Sequence, residues 1–166
     1  AVGGYALTRL RIPVVFGEAA KQVIAAAEEL CPDVILCVGQ AGGRDAITPE
    51  LLGINLRHAS IPDNEGNLIK NSPIDKNGPA AYFSTVPVRE MVAAVKEAGI
   101  PASLSYSAGA FVCNDTLYSL LRHFDGTGTR AGFIHVPFLP EQAKEGVPSM
   151  ELSDIIKALR AAIECL

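Results

Sequence analysis

The chain has no tryptophan, only three histidines, and no two cysteines spaced as CxxC. Zinc sites draw Cys and His ligands from short, regular separations. His58, His123 and His135 are scattered, and Cys31, Cys37, Cys113 and Cys165 show no ligand spacing, so neither a metal nor any other cofactor is expected. Charge is sparse as well: 14 Lys and Arg against 18 Asp and Glu leave a formal charge of -4, with no basic surface to neutralise a phosphate backbone. Nucleic acid is therefore excluded as an expected partner. Every apolar run is broken early by Pro, Gly or a charge, so no membrane-spanning segment is expected. The opening AVGGYALTRL lacks the charged-then-apolar layout of a secretory signal. A cytosolic location with reduced thiols follows as the expectation. Repeats, low-complexity tracts and linkers are missing too.

What is present is an apolar chain of 166 residues, 49% hydrophobic, long enough to bury one core and too apolar for disorder. One domain spanning 1–166 is expected. Leu7 to Val15 reads as β-like, and Glu18 to Leu30 has helical spacing and ends at Cys31-Pro32. Asp33 to Val38 is an apolar run that reads as a central parallel strand, with Cys37 packed inside it. A strand is expected over Leu52 to Ala59, then an irregular segment from Ser60 to Pro79. Pro87 to Ala98 reads as a helix closed by Gly99 and Pro101, and Ala102 to Tyr106 as a short strand. A helix over Cys113 to Phe124, a strand over Arg130 to Val136 and a helix over Glu151 to Leu166 complete the chain. Strands alternating with helices imply an α/β fold, a three-layer α/β/α sandwich with a mostly parallel central sheet.

In such sheets ligands bind beyond the carboxyl ends of the strands. GQAGGRDAITPE follows one strand and holds Gln40 and Glu50; SAGAFVCN follows another and holds Cys113; a third runs into His135. A thiol at a helix N-terminus meets the positive end of the helix dipole and free backbone N–H groups, which favour a thiolate and can hold an oxyanion. A histidine can take the thiol proton, and a carboxylate can orient that histidine. Spacing alone leaves both readings of Cys113 open, nucleophile and buried structural thiol, and His135 could equally be a hydrogen-bonded core residue. The glycines of GQAGGR match neither GxGxxG nor a P-loop, and IPDNEGN has too few carboxylates for an EF-hand.

Five segments in series, GQAGGRDAITPELLGIN, IPDNEGN, GPAAYFSTVPV, SAGAFVCNDTLY and RAGFIHVPFLPEQ, resemble the pyroglutamyl peptidase I (pyrrolidone-carboxylate peptidase) family from about Ile12 onward. The resemblance implies a cytosolic, homo-oligomeric cysteine peptidase that removes an N-terminal pyroglutamyl residue from peptides. It assigns Cys113 as nucleophile, His135 as base and Glu50 as orienting acid. Gln40 would read the lactam, and Phe111 and Val112 would wall its pocket, as suits a neutral ring with one donor and one acceptor.

The chain departs from the family pattern at two places. Ser60 stands where the family usually has an Arg before IPDN, so a positive group near Glu50 or the acyl oxygen is expected to be missing unless Arg57 or His58 replaces it. Relatives also begin with a strand leading to a PFGG-like loop, which AVGGYALTR does not match. Part of the lactam pocket is accordingly expected to be absent and activity weakened. A catalytically impaired homologue that keeps the fold and assembly is the alternative, with another α/β cysteine amidase behind it.

Overall fold

The computed structural model describes residues 1–166. Helix α1 (Glu18–Leu30) buries Ala19, Ala20, Val23 and Ala27 along one face. It stops at Cys31, whose left-handed backbone (φ 49°) turns the chain into Pro32 while the Cys31 N–H still bonds the Ala27 carbonyl. Strand β1 (Val34–Gln40) follows, then two short strands, β2 (Thr48–Pro49) and β3 (Leu52–Ile54), and β4 (Ala81–Phe83). After these come α2 (Val88–Glu97), α3 (Val112–His123), β5 (Arg130–Val136) and α4 (Leu152–Ile163). None of the helices is long and apolar enough to cross a membrane.

Strands β1 and β5 run parallel from Val34↔Arg130 to Gln40↔Val136. Side chains alternate across a strand, so each sequence run serves two faces. Ile35, Cys37, Ala131 and Phe133 pack with Val23 and Ala27 of α1 and Leu117, Leu120 and Leu121 of α3. On the other face Ile134 and Val136, joined by Val34 and Leu36, meet Met91 and Val95 of α2 and Ile155, Ala158 and Ala162 of α4. The sheet is thus sandwiched between two helical layers, as the alternation predicted. Parallel pairing dominates it, with β2 adding a short antiparallel contact at Thr48↔His135 and Pro49↔Ile134. Strands β3 and β4 form a separate antiparallel pair.

Several boundaries differ from the sequence expectation. The first strand expected, Leu7 to Val15, is not formed: Leu7 and Leu10 are each 51% exposed and have no ladder partner. The apolar run at β1 lies at the edge of the sheet rather than its centre, which β5 occupies. Its apolarity reflects helices on both faces, not strands on both sides. Beyond Ile54 the expected strand gives way to loop pairing, with Arg57 and Ser72 exchanging backbone bonds of 2.7 and 3.0 Å. Residues Ala102 and Ser105 join the sheet only through single parallel bridges to Ile47 and Glu50.

Candidate active site

Glu50 reaches the sheet edge from the residue after β2, and its backbone N–H bonds the Phe133 carbonyl at 2.9 Å. Its side chain is fully buried (0% exposed) beside His135 on β5, itself 3% exposed. The imidazole Nδ1–H donates to Glu50 Oε1 at 2.7 Å, which fixes the tautomer and leaves Nε2 as the free ring nitrogen. Arg44 Nη1 donates to the same oxygen at 2.8 Å, bonds the Thr48 hydroxyl, and through Nη2 reaches the Ser107 carbonyl at 3.3 Å. Burial opposes ionisation of Glu50. The hydrogen bond from His135 and the charge of Arg44 outweigh it and hold the carboxyl below its ordinary range.

Cys113 is the second residue of α3, whose first turn has no side-chain cap. Asp115 N–H closes the first helical bond onto Phe111 at 3.0 Å, leaving the N–H groups before it free. The sulfur lies over Gly39, the residue opposite His135: a β-carbon built on Gly39 would stand 3.3 Å from Cys113 Sγ and 2.9 Å from the Phe133 ring. That ring packs in turn on the His135 imidazole, with centroids 4.7 Å apart. Nucleophile, base and acid candidates from three distant segments therefore share one corner of the sheet. The thiol departs from the dipole argument. Burial pushes it up to about 11, with the Glu50 charge adding to the rise and Arg44 only partly opposing it.

Two side chains beside Cys113 anchor the start of α3. Asn114 accepts the Ile54 N–H at 2.8 Å and donates to the Ile54 and Leu56 carbonyls at 2.9 and 3.0 Å. Asp115 accepts the Gly17 N–H and the Arg57 guanidinium, each at 2.6 Å.

The family model described as pyroglutamyl peptidase matches residues 1–166. The chain belongs to the pyroglutamyl peptidase family. Pyrrolidone-carboxylate peptidase of Levilactobacillus brevis is 47% identical, with 100% of this chain aligned to 83% of that protein. The Escherichia fergusonii pyrrolidone-carboxylate peptidase is also 47% identical, over 98% of this chain and 77% of its own length. The crystal structure of Bacillus amyloliquefaciens pyroglutamyl peptidase I superposes with a TM-score of 0.91 at 44% identity, covering 94% of this chain and 77% of that one.

Within this pyroglutamyl peptidase fold, the remaining sequence candidates are spread around Cys113 and His135. Phe111 caps α3 and meets Phe16 edge-on at 5.2 Å, while Val112 is buried at 4% exposure. Gln40 lies exposed at the end of β1, its amide donating to Gln142 Oε1 at 2.6 Å. The positive group expected to be missing beside Glu50 is supplied by Arg44, six residues earlier in the chain, which the sequence reading passed over. Neither Arg57 nor His58 takes that place: Arg57 pairs with Asp115, and His58 Nδ1 lies 2.8 Å from Asn71 Oδ1. An Arg shortly before a buried Glu was the available signal, but only a folded loop shows that the two meet.

Proposed function

We propose that this chain is a cysteine peptidase of the pyroglutamyl-peptidase I type, hydrolysing the bond after an N-terminal pyroglutamyl residue. The observation that carries the reading is the buried 2.7 Å contact between His135 Nδ1 and Glu50 Oε1 at the sheet corner where Cys113 opens α3. Cys113 gives its proton to His135 Nε2 as the sulfur attacks the acyl carbon, and the carbonyl oxygen becomes an oxyanion held by free N–H groups at the start of α3. Glu50 holds the imidazole in the receptive tautomer and stabilises the imidazolium. Collapse of the tetrahedral intermediate breaks the C–N bond, and the imidazolium protonates the departing amine. Water, deprotonated by the same imidazole, then hydrolyses the thioester. A thiol raised by burial fits this scheme, because the proton leaves as the attack occurs rather than beforehand.

The neutral lactam suits a pocket walled by Phe111 and Val112, with Gln40 as its polar contact. Homo-oligomeric assembly rests on the family resemblance, and a cytosolic location on that resemblance together with the expectation of reduced thiols. A fluorogenic pyroglutamyl amide, compared with ordinary amino-acyl amides, tests the activity and its specificity. Cys113→Ala and His135→Ala should abolish turnover, and Glu50→Gln should lower it less because the carboxylate transfers no proton. Near-normal turnover by folded His135→Ala would overturn the assignment. No turnover by a fully folded parent chain would favour the impaired homologue.

A further inference from the structure

Arg44 is the one charged side chain at this corner that the chemistry above leaves without a task. Its guanidinium bonds Glu50 Oε1, the oxygen that also receives His135 Nδ1, and the Ser107 carbonyl, six residues before Cys113. The other carboxylate oxygen, Oε2, is buried with no hydrogen-bond partner, while the neighbouring Ser105 hydroxyl is directed to the Ser107 carbonyl at 3.1 Å. Glu50 is therefore held from one side only, and Arg44 is the link between that hold and the segment carrying the nucleophile. We propose that Arg44 is a positioning residue: by bonding Glu50 and Ser107 together it sets the His135–Glu50 pair and the approach to Cys113 in one fixed arrangement.

This rests on the reading that Cys113, His135 and Glu50 perform the hydrolysis. A guanidinium fork can serve two acceptors in fixed directions, whereas a lysine ammonium keeps the charge without the fork. The titratable groups facing the site are Glu50 and His135 from the β2 and β5 side, Cys113 from α3, and Cys37 behind the thiol on β1. The charge of Arg44 favours the ionised forms of both Glu50 and Cys113. Without it, each keeps its proton to higher pH.

The experiment compares Arg44→Gln and Arg44→Lys with the parent, matched for folding by circular dichroism and thermal melting. It reads kcat and KM for a pyroglutamyl amide across pH, and separately the rate of iodoacetamide labelling of Cys113 at one fixed pH. Arg44→Gln should lose on the order of a hundredfold in kcat with KM little changed. Its turnover should set in at higher pH, and Cys113 labelling should slow about tenfold. Arg44→Lys should keep the parental labelling rate and recover only part of kcat. A folded Arg44→Gln variant with parental kcat would overturn the proposal. So would one that loses kcat while its pH profile and labelling rate stay parental, since Arg44 would then be structural only. Labelling needs no peptide substrate, so a slowed Cys113 in a protein without peptidase turnover would sink the peptidase reading while supporting the link from Arg44 to Cys113.

Discussion

Gly39 stands opposite His135 in the β1–β5 register, and Cys113 Sγ occupies the space that a side chain at Gly39 would fill. The backbone there is ordinary extended strand, so the requirement for glycine is one of volume alone.

Gly39→Ala should damage the site more than the fold. The new methyl would lie 2.9 Å from the Phe133 ring and 3.3 Å from the sulfur, so ring or thiol must shift, and Phe133 transmits any shift to His135. Overpacking of this kind costs about 1–3 kcal/mol, and if Cys113 is the nucleophile proposed above, its displacement loses on the order of ten- to a hundredfold in rate. Chemical denaturation and kcat/KM measure the two effects. Parental kcat/KM would show that the thiol does not depend on this gap.

Thiol labelling separates a stored thiolate from one made on demand. Cys31 is exposed, Cys113 is pushed up to about 11, and Cys37, buried among apolar side chains, is pushed up to about 12. Brief treatment of the parent chain with iodoacetamide at neutral pH should therefore modify Cys31 first, Cys113 slowly and Cys37 least. Raising the pH should accelerate Cys113. Peptide mapping gives the order, and a Cys113 that reacts first at neutral pH would mean the thiolate is already formed in the free protein.

The helix α1 and strand β5 were legible in the sequence residue for residue, because Ala19, Ala20, Val23 and Ala27 repeat at helical spacing and RAGFIHV is an uninterrupted apolar-rich run. Strand β4 was not: Ala81–Phe83 is too short to show an alternation, and it exists because Leu52–Ile54 offers it a partner. Cys113, His135 and Glu50 could be picked out by their places at strand and helix ends, and the resemblance gave them roles. Their supports could not be seen that way. Gln40 meets Gln142 and Asn114 meets Ile54 only through tertiary packing, and the upward push on Cys113 comes from burial that no local pattern records.

The IPDNEGN segment has an acid-sensitive role of its own. Buried Asp63 accepts the Phe16, Glu65 and Asn67 N–H groups at 3.0, 3.0 and 2.9 Å, together with the Asn67 amide. Burial opposes its charge, but these bonds prevail and bring the carboxyl from 3.8 down to about 2. The folded chain thus stays ionised where the unfolded chain is already protonated, so the stability from Asp63 is full above about pH 4 and drains away as pH falls towards 2. Denaturant unfolding at a series of pH values should show this loss in the parent and a flatter profile in Asp63→Asn. Identical slopes would remove Asp63 from the acid response.

Asn114 and Asp115 tie the residues beside Cys113 to Ile54, Leu56, Arg57 and Gly17, segments that lie 58 to 98 positions away in the chain. Contacts at such separation form only after long loops have closed. A chain in which those loops are still open consequently carries its thiol on an unmoored helix, and the surroundings of Cys113 are completed late in folding.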